Sequence, residues 1–181
     1  QHHAAIDATL AIRERHGIEP ADIRKIVDRT FRVSSRGNNP TPKTVAEAKY
    51  SNPYIIAITL MEGAAWREQF TLEKIADPKV LELAAKVEVL ADEDLDRLYD
   101  EKWPSIIEIT TRDGTVHTER VDLPKGEPEF PITDQALRHK FMSLATDLVS
   151  AAQAEEIWDT GMRIDELDDA GEFTALLLKL E

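Results

Sequence analysis

Residues 38–63, NNPTPKTVAEAKYSNPYIIAITLMEG, decide how this chain is read, because they hold a helix start, a buried helix and a helix stop in one run. Ser51 or Asn52 caps the helix by accepting a first-turn N–H, and Pro53 suits that turn, where a missing N–H costs nothing. Ile55, Ile56, Ala57, Ile58, Leu60 and Met61 leave almost no polar face. The spacing therefore predicts a helix buried all round and ended by Gly63. Tyr54 adds an aromatic hydroxyl to its first turn. A buried helix N-terminus presents free N–H groups and partial positive charge, which favour an anion, so this run reads as the wall of a substrate site.

Working outward, residues 4–16 read as a helix with Ile6 and Leu10 on one stripe and Gly17 as its stop. Residues 23–33 alternate as a strand, with Val27, Phe31 and Val33 against Asp28, Thr30 and Arg32. SSRGNNPTP is a loop and residues 43–49 a short helix. Beyond Phe70 come two helices capped by Thr71 and Asp77, with Pro78 at a first helical position, then a short strand at 87–90. The clearest hairpin joins 106–112 to 115–123 through Asp113-Gly114. A two-residue loop there sets Glu108 opposite Glu119, so a longer loop with a bulge is the alternative. PKGEPEFP at 124–131 breaks regular structure, and Thr133 caps a long helix with Leu137, Phe141, Leu144 and Leu148 at helical spacing. Residues 151–181 hold nine Asp/Glu and two Lys/Arg, yet also the apolar run FTALLLKL. Such a tail needs something else to pack against.

At 181 residues the chain makes one large domain, or one domain with an appendage. No window approaches the ~18 consecutive apolar residues that span a bilayer, and no charged segment precedes an apolar one as in a secretory signal. With no cysteine there is no disulfide framework, thiolate nucleophile or cysteine-ligated metal. A cytoplasmic protein is expected. The net charge of −13 argues against nucleic acid as a partner. Residues 13–49 run against that field, with nine Lys/Arg and five Asp/Glu, a local +4. Small anions are drawn to such a patch, although charge runs are also ordinary solvated faces.

His3 is the first candidate for chemistry, since imidazole donates or accepts a proton near neutral pH and a helix N-terminus tunes its charge. The alternative is a frayed chain start beside His2. His16, His117 and His139 share no metal-ligand spacing with them. Tyr54 suits a substrate carboxylate or hydroxyl through its phenol, or is a core tyrosine with a satisfied OH. Lys43 and Lys49 suit carboxylates, or are surface lysines. Lys125 and Gly126 line a cleft or form a connecting turn. There is no phosphate-binding glycine fingerprint, G-x-S-x-G elbow or H-E-x-x-H.

Taken together, the chain resembles the C-terminal part of the MmgE/PrpD family. The resemblance rests on HAAIDA at 3–8, NNP at 38–40, EAKYSNPY at 47–54 with its apolar helix and Gly63, VEV at 87–89, TRDGT, PKGEP at 124–128 and the L-x-x-K-F of 137–141. It implies an α+β fold: a two-layer lid domain at 1–132 with a small, mainly antiparallel sheet on helices, then C-terminal helices at 133–181 that return to an all-helical domain. It implies a lyase, most nearly a 2-methylcitrate dehydratase of propionate catabolism. A cis-aconitate decarboxylase, an iminodisuccinate epimerase and a non-catalytic lid-like anion- or protein-binding module are the alternatives. The implied chemistry needs no metal or cofactor and acts on a small di- or tricarboxylate in a cleft between helical and lid domains of a homodimer. His3 would be a proton donor or carboxylate ligand, Tyr54 a donor orienting the substrate, and Lys49, Lys125 and Gly126 substrate contacts. The family's remaining catalytic groups, on the helical domain, have no counterpart here, so the 181-residue chain alone is expected to be inactive.

Overall fold

The computed structural model describes residues 1–178. Helix α1 (His3–His16) stops at Gly17, whose φ of 59° is the left-handed conformation a residue without Cβ adopts freely. Its predicted stripe is corrected: Ala4, Ala5, Ala8 and Ile12 are buried, whereas Ile6 and Leu10 are only half-buried. Alanines let the helix approach its neighbours closely.

Strand β1 (Ile23–Thr30) ends before the predicted Val33. Phe31 turns into the core instead, stacked on Tyr99 with ring centroids 4.7 Å apart and edge-on to Trp103 at 5.9 Å. The Arg32 N–H donates to Asp96 Oδ1 at 2.8 Å as the chain enters the single turn α2 (Arg32–Ser35). The expected alternation is also lost, for Asp28 and Thr30 are buried along with Val27 and Phe31. They are tolerated there because Asn52 and Ser105 donate to Asp28, and Thr30 donates to the Pro104 carbonyl.

Helix α3 (Val45–Lys49), capped by Thr44, leads into α4 (Asn52–Glu62). Ser51 is the cap, its Oγ accepting the Tyr54 N–H at 3.0 Å, and Gly63 at φ 71° is the stop. Asn52 through Leu60 are all buried, as predicted, whereas Met61, expected inside as well, is only half-buried and Glu62 is exposed. The helices α5 (Leu72–Ile75) and α6 (Pro78–Ala84) carry the expected Thr71 and Asp77 caps. Then follow β2 (Val87–Ala91), the turn α7 (Glu93–Asp96), β3 (Ser105–Thr111) and β4 (Val116–Val121).

The strands form one sheet in the order β2-β1-β3-β4, parallel only between β1 and β2. In the hairpin Glu108 faces Thr118 and Glu119 faces Ile107, so the longer connection is the one adopted. The Thr111 N–H donates to Thr115 O, and Gly114 takes φ 91°. This register removes the Glu–Glu contact, and each carboxylate finds an arginine: Glu108 with Arg29 at 3.1 Å, Glu119 with Arg15 at 2.5 Å. α1 and α4 pack with the sheet's Ile26, Ile107 and Ile109 into one core that also takes in Tyr54 and Ile58. Ion pairs Lys25–Glu88 and Arg29–Glu108 join neighbouring strands through half-exposed side chains. The fold is α+β.

The chain divides into two compact units, Gln1–Phe130 and Pro131–Glu181. The second consists of α8 (Asp134–Ala145), capped by Thr133, α9 (Ala151–Gly161) and α10 (Gly171–Leu177). Phe141 meets Trp158 inside it at 5.4 Å, while Leu137, Leu144 and Leu148 remain exposed. Leu148 lies past the end of α8 rather than on it. The last two residues of FTALLLKL lie outside the described residues. Among the described residues no helix is long and apolar enough to cross a membrane.

Candidate functional site

In the first unit a cleft of about 690 Å³ opens between the start of α1, the junction of α3 with α4, and the turn at 64–70. His3 and Lys49 line it together, and Tyr50, Trp66, Arg67 and Phe70 complete the parts of the wall that bear on chemistry. His3, Lys49 and Arg67 give it imidazole, ammonium and guanidinium groups on exposed side chains. A smaller depression of about 400 Å³ shares His2 and Tyr50 with it and reaches Arg36 and Glu47.

The turn that carries Trp66 and Arg67 is held through Gln69. Its carbonyl accepts the Tyr54 hydroxyl at 2.5 Å, its side-chain oxygen accepts the Trp66 N–H at 2.8 Å, and its amide donates to Glu62 at 3.0 Å. Glu62 also pairs with Lys74. Burial alone would push the Glu62 carboxyl up, but the hydrogen bonds from Lys74 and Gln69 hold it below its ordinary value.

Tyr54 stands in the core rather than on the cleft surface, fully buried, its ring 5.8 Å from that of Phe70. Burial, then the negative charges of Glu62 and Asp77, push its phenol up to about 12, so it is a neutral donor throughout the physiological range. Lys125 and Gly126 occupy a turn in which the Lys125 N–H donates to Asp7 Oδ2 at 2.8 Å and Gly126 adopts φ 104°. Neither is among the residues lining the cleft, and Lys43 is likewise absent from it, its N–H donating to Glu47.

The two adjacent histidines differ sharply. His3 is exposed to the cleft, whereas His2 is 7% exposed, and its imidazole is pushed down to about 4, chiefly by burial and also by His3, with the nearby Asn52 side chain opposing the shift. His2 is thus neutral at neutral pH. Among the described residues no group of three or more His, Asp or Glu is placed to hold a metal ion.

Tyr50, Trp66, Arg67 and Phe70 were not singled out by sequence. Tyr50 lay inside a motif already in view, but nothing local marks 64–70 as facing residues 1–6, since that meeting depends on how α1 and α4 pack. From the sequence alone Asn52 is only a possible cap.

The MmgE/PrpD C-terminal domain family matches residues 1–165. Cis-aconitate decarboxylase of Mus musculus is 31% identical over 185 residues, covering 97% of this chain and 37% of the relative. The Homo sapiens cis-aconitate decarboxylase is 29% identical with the same coverage, and that of Aspergillus terreus 28% identical over 75% of this chain and 28% of its own. The chain spans a little over a third of the length of the mouse and human relatives. With that match running from the first residue through the sheet and into the C-terminal helices, the chain belongs to the MmgE/PrpD family and carries its C-terminal domain.

Proposed function

We propose that this chain supplies one wall of the active site of a lyase acting on a small di- or tricarboxylate. The observation that carries the reading is the cleft itself, where His3, Lys49 and Arg67 converge in an otherwise acidic chain. Lys49 and Arg67 bind substrate carboxylates, the guanidinium being suited to a two-pronged grip. His3 delivers or removes a proton. Tyr54 acts from behind the wall: its buried hydroxyl donates to the Gln69 carbonyl and so holds the turn that presents Arg67 to the substrate. A helical domain outside this chain completes the cleft.

The relatives' names favour loss of carbon dioxide from cis-aconitate over loss of water from 2-methylcitrate. In such a decarboxylation the bond to the departing carboxylate breaks and its electron pair forms a new double bond. The original double bond shifts its pair to the carbon beside a remaining carboxylate, and a proton closes that carbon. Lys49 and Arg67 stabilise the charge that builds on the conjugated carboxylate before the proton arrives.

The test is to incubate the intact protein with cis-aconitate, 2-methylcitrate, citrate and iminodisuccinate and identify products by NMR. Itaconate and carbon dioxide from cis-aconitate are expected. His3→Ala and Tyr54→Phe should each lower turnover substantially while the fold is kept; unchanged turnover in both removes these residues from the site.

A further inference from the structure

Behind the cleft wall lies a set of buried polar side chains with no part in the chemistry just described. Asp28 on β1 is fully buried and accepts from Asn52 Nδ2 at 2.6 Å and from Ser105 Oγ at 2.8 Å. The Asn52 amide nitrogen also reaches Ser34 Oγ at 3.4 Å, so its hydrogens are committed on that side. Among the described residues its Oδ1 is left without a partner of good geometry, and so is Nε2 of buried His2. Both side chains flank one spot: a Cβ built on Gly37 would stand 2.8 Å from Asn52 Oδ1 and 3.2 Å from His2 Cε1. A buried acceptor and a buried ring nitrogen beside the same spot are complementary when the imidazole hydrogen is on Nε2, which leaves Nδ1 to accept from Ser34 Oγ at 3.5 Å.

We propose that Asp28, Asn52 and His2 form a buried hydrogen-bond chain that fixes His3 on the cleft wall. The three are positioning residues, and the proposal rests on the reading of His3 as a cleft side chain. Asp28 sets the Asn52 amide, because turning it over would bring its oxygen against the carboxylate and lose that bond. The amide oxygen then sets the His2 tautomer. His2 is also the N-cap of α1, its carbonyl accepting the Ile6 N–H at 3.1 Å. Holding His2 therefore holds the first helical turn, on which His3 stands, and references it to the central strand rather than to a loop. The groups around His2 are His3, the Tyr50 ring with centroids 6.4 Å apart, and Arg36 and Glu47 across the smaller depression.

Nitrogen NMR of the 181-residue chain tests this, with Asn52→Ala, His2→Leu and His2→Gln beside the parent. His2 should be neutral with its hydrogen on Nε2. Asn52→Ala and His2→Leu should move the amide and ring signals of His3, whereas His2→Gln, whose side-chain N–H reaches the same Oδ1, should keep them. In the intact enzyme His2→Leu should lose roughly 100-fold in kcat, the scale of a small misplacement, and His2→Gln should restore most of it with KM little changed. A hydrogen on Nδ1, or His3 signals unmoved in both Asn52→Ala and His2→Leu, overturns the proposal. If the intact protein turns over none of the carboxylates, the functional reading fails while the NMR outcomes still decide this one. Should Asn52→Ala not fold, the two His2 variants carry the test.

Discussion

Replacing Asp28 by asparagine separates the two properties of that carboxylate, accepting hydrogen bonds and carrying charge. Both of its partners, Asn52 and Ser105, are neutral donors. Burial pushes the carboxyl above its ordinary range, and the two hydrogen bonds only oppose that shift. An acid whose pKa is raised by folding holds its proton more tightly in the native state. Its contribution to stability is therefore fully present below the unfolded value and is lost as pH rises through the folded value. In Asp28→Asn the new Oδ1 accepts from Asn52, and the new Nδ2 donates to the Ser105 hydroxyl, which accepts as well as it donates. The hydrogen-bond count is kept, so stability in acid should stay within about 1 kcal/mol of the parent. As pH rises through the native titration of Asp28, the variant should become the more stable of the two. Asp28→Ala, by contrast, leaves two buried donors unpaired at about 1–3 kcal/mol each, roughly 2–6 kcal/mol in all. Hydrogen exchange at the Ile107 and Ile109 amides, followed in urea from acid to neutral pH, reads the first unit alone. The reasoning fails if Asp28→Asn loses ground to the parent as pH rises, or if alanine is tolerated as well as asparagine.

Gly37→Ala would place its Cβ 2.3 Å from the Tyr50 carbonyl oxygen, a backbone atom that cannot rotate away; a loss of about 1–3 kcal/mol is expected in urea denaturation, as for other overpacked sites. Ser51→Ala removes the cap on the Tyr54 N–H and the bond that Ser51 Oγ donates to Asn39 O at 2.5 Å. About 1–2 kcal/mol should be lost, read as a lower melting temperature. The phenol of Tyr54, pushed up to about 12 by burial and by Glu62 and Asp77, stabilises the fold below its ordinary value near 10, and that contribution is lost as pH rises toward 12. The loss reaches at most about 3 kcal/mol, and alkaline unfolding of Tyr54→Phe should show a correspondingly flatter pH dependence.

Local signals in the sequence were strong where one residue type has one physical use. Ser51, Thr71, Asp77 and Thr133 all cap the helices they were expected to cap, and Gly17 and Gly63 both close theirs in the left-handed region. The signals failed where packing chose between options that look alike in one dimension. Asp28 and Thr30 suggested an outward face, yet β1 is buried there because partners distant in sequence supply their hydrogen bonds, Asn52 and Ser105 for Asp28 and the Pro104 carbonyl for Thr30. Ile6 and Leu10 are larger than the alanines beside them, but close approach favoured the small residues. The site shows the same division. His3 and Lys49 were legible as chemistry and do share a cleft, whereas Trp66 and Arg67 reach it only through the fold.

The first turn of α4 explains why the cleft and the core belong together. Three neighbouring side chains leave it in three directions: Ser51 binds the loop at Asn39, Asn52 reaches the central strand at Asp28, and Tyr54 holds the turn at Gln69. The Asn39 loop borders the smaller depression, the Asp28 contact lies behind His2, and the Gln69 turn carries Trp66 and Arg67. Each part of the wall is thus tied to one helical turn whose own position is set by complete burial of the residues that follow. A change deep in α4 should accordingly be felt at the cleft. Ile56→Ala, fully buried and facing no part of the cleft lining, should cost about 2–5 kcal/mol of stability and also displace the amide signals of Trp66 and His3 in the NMR spectrum. A stability loss of that size with those two signals unmoved would mean that the wall is held locally, and that α4 is only its floor.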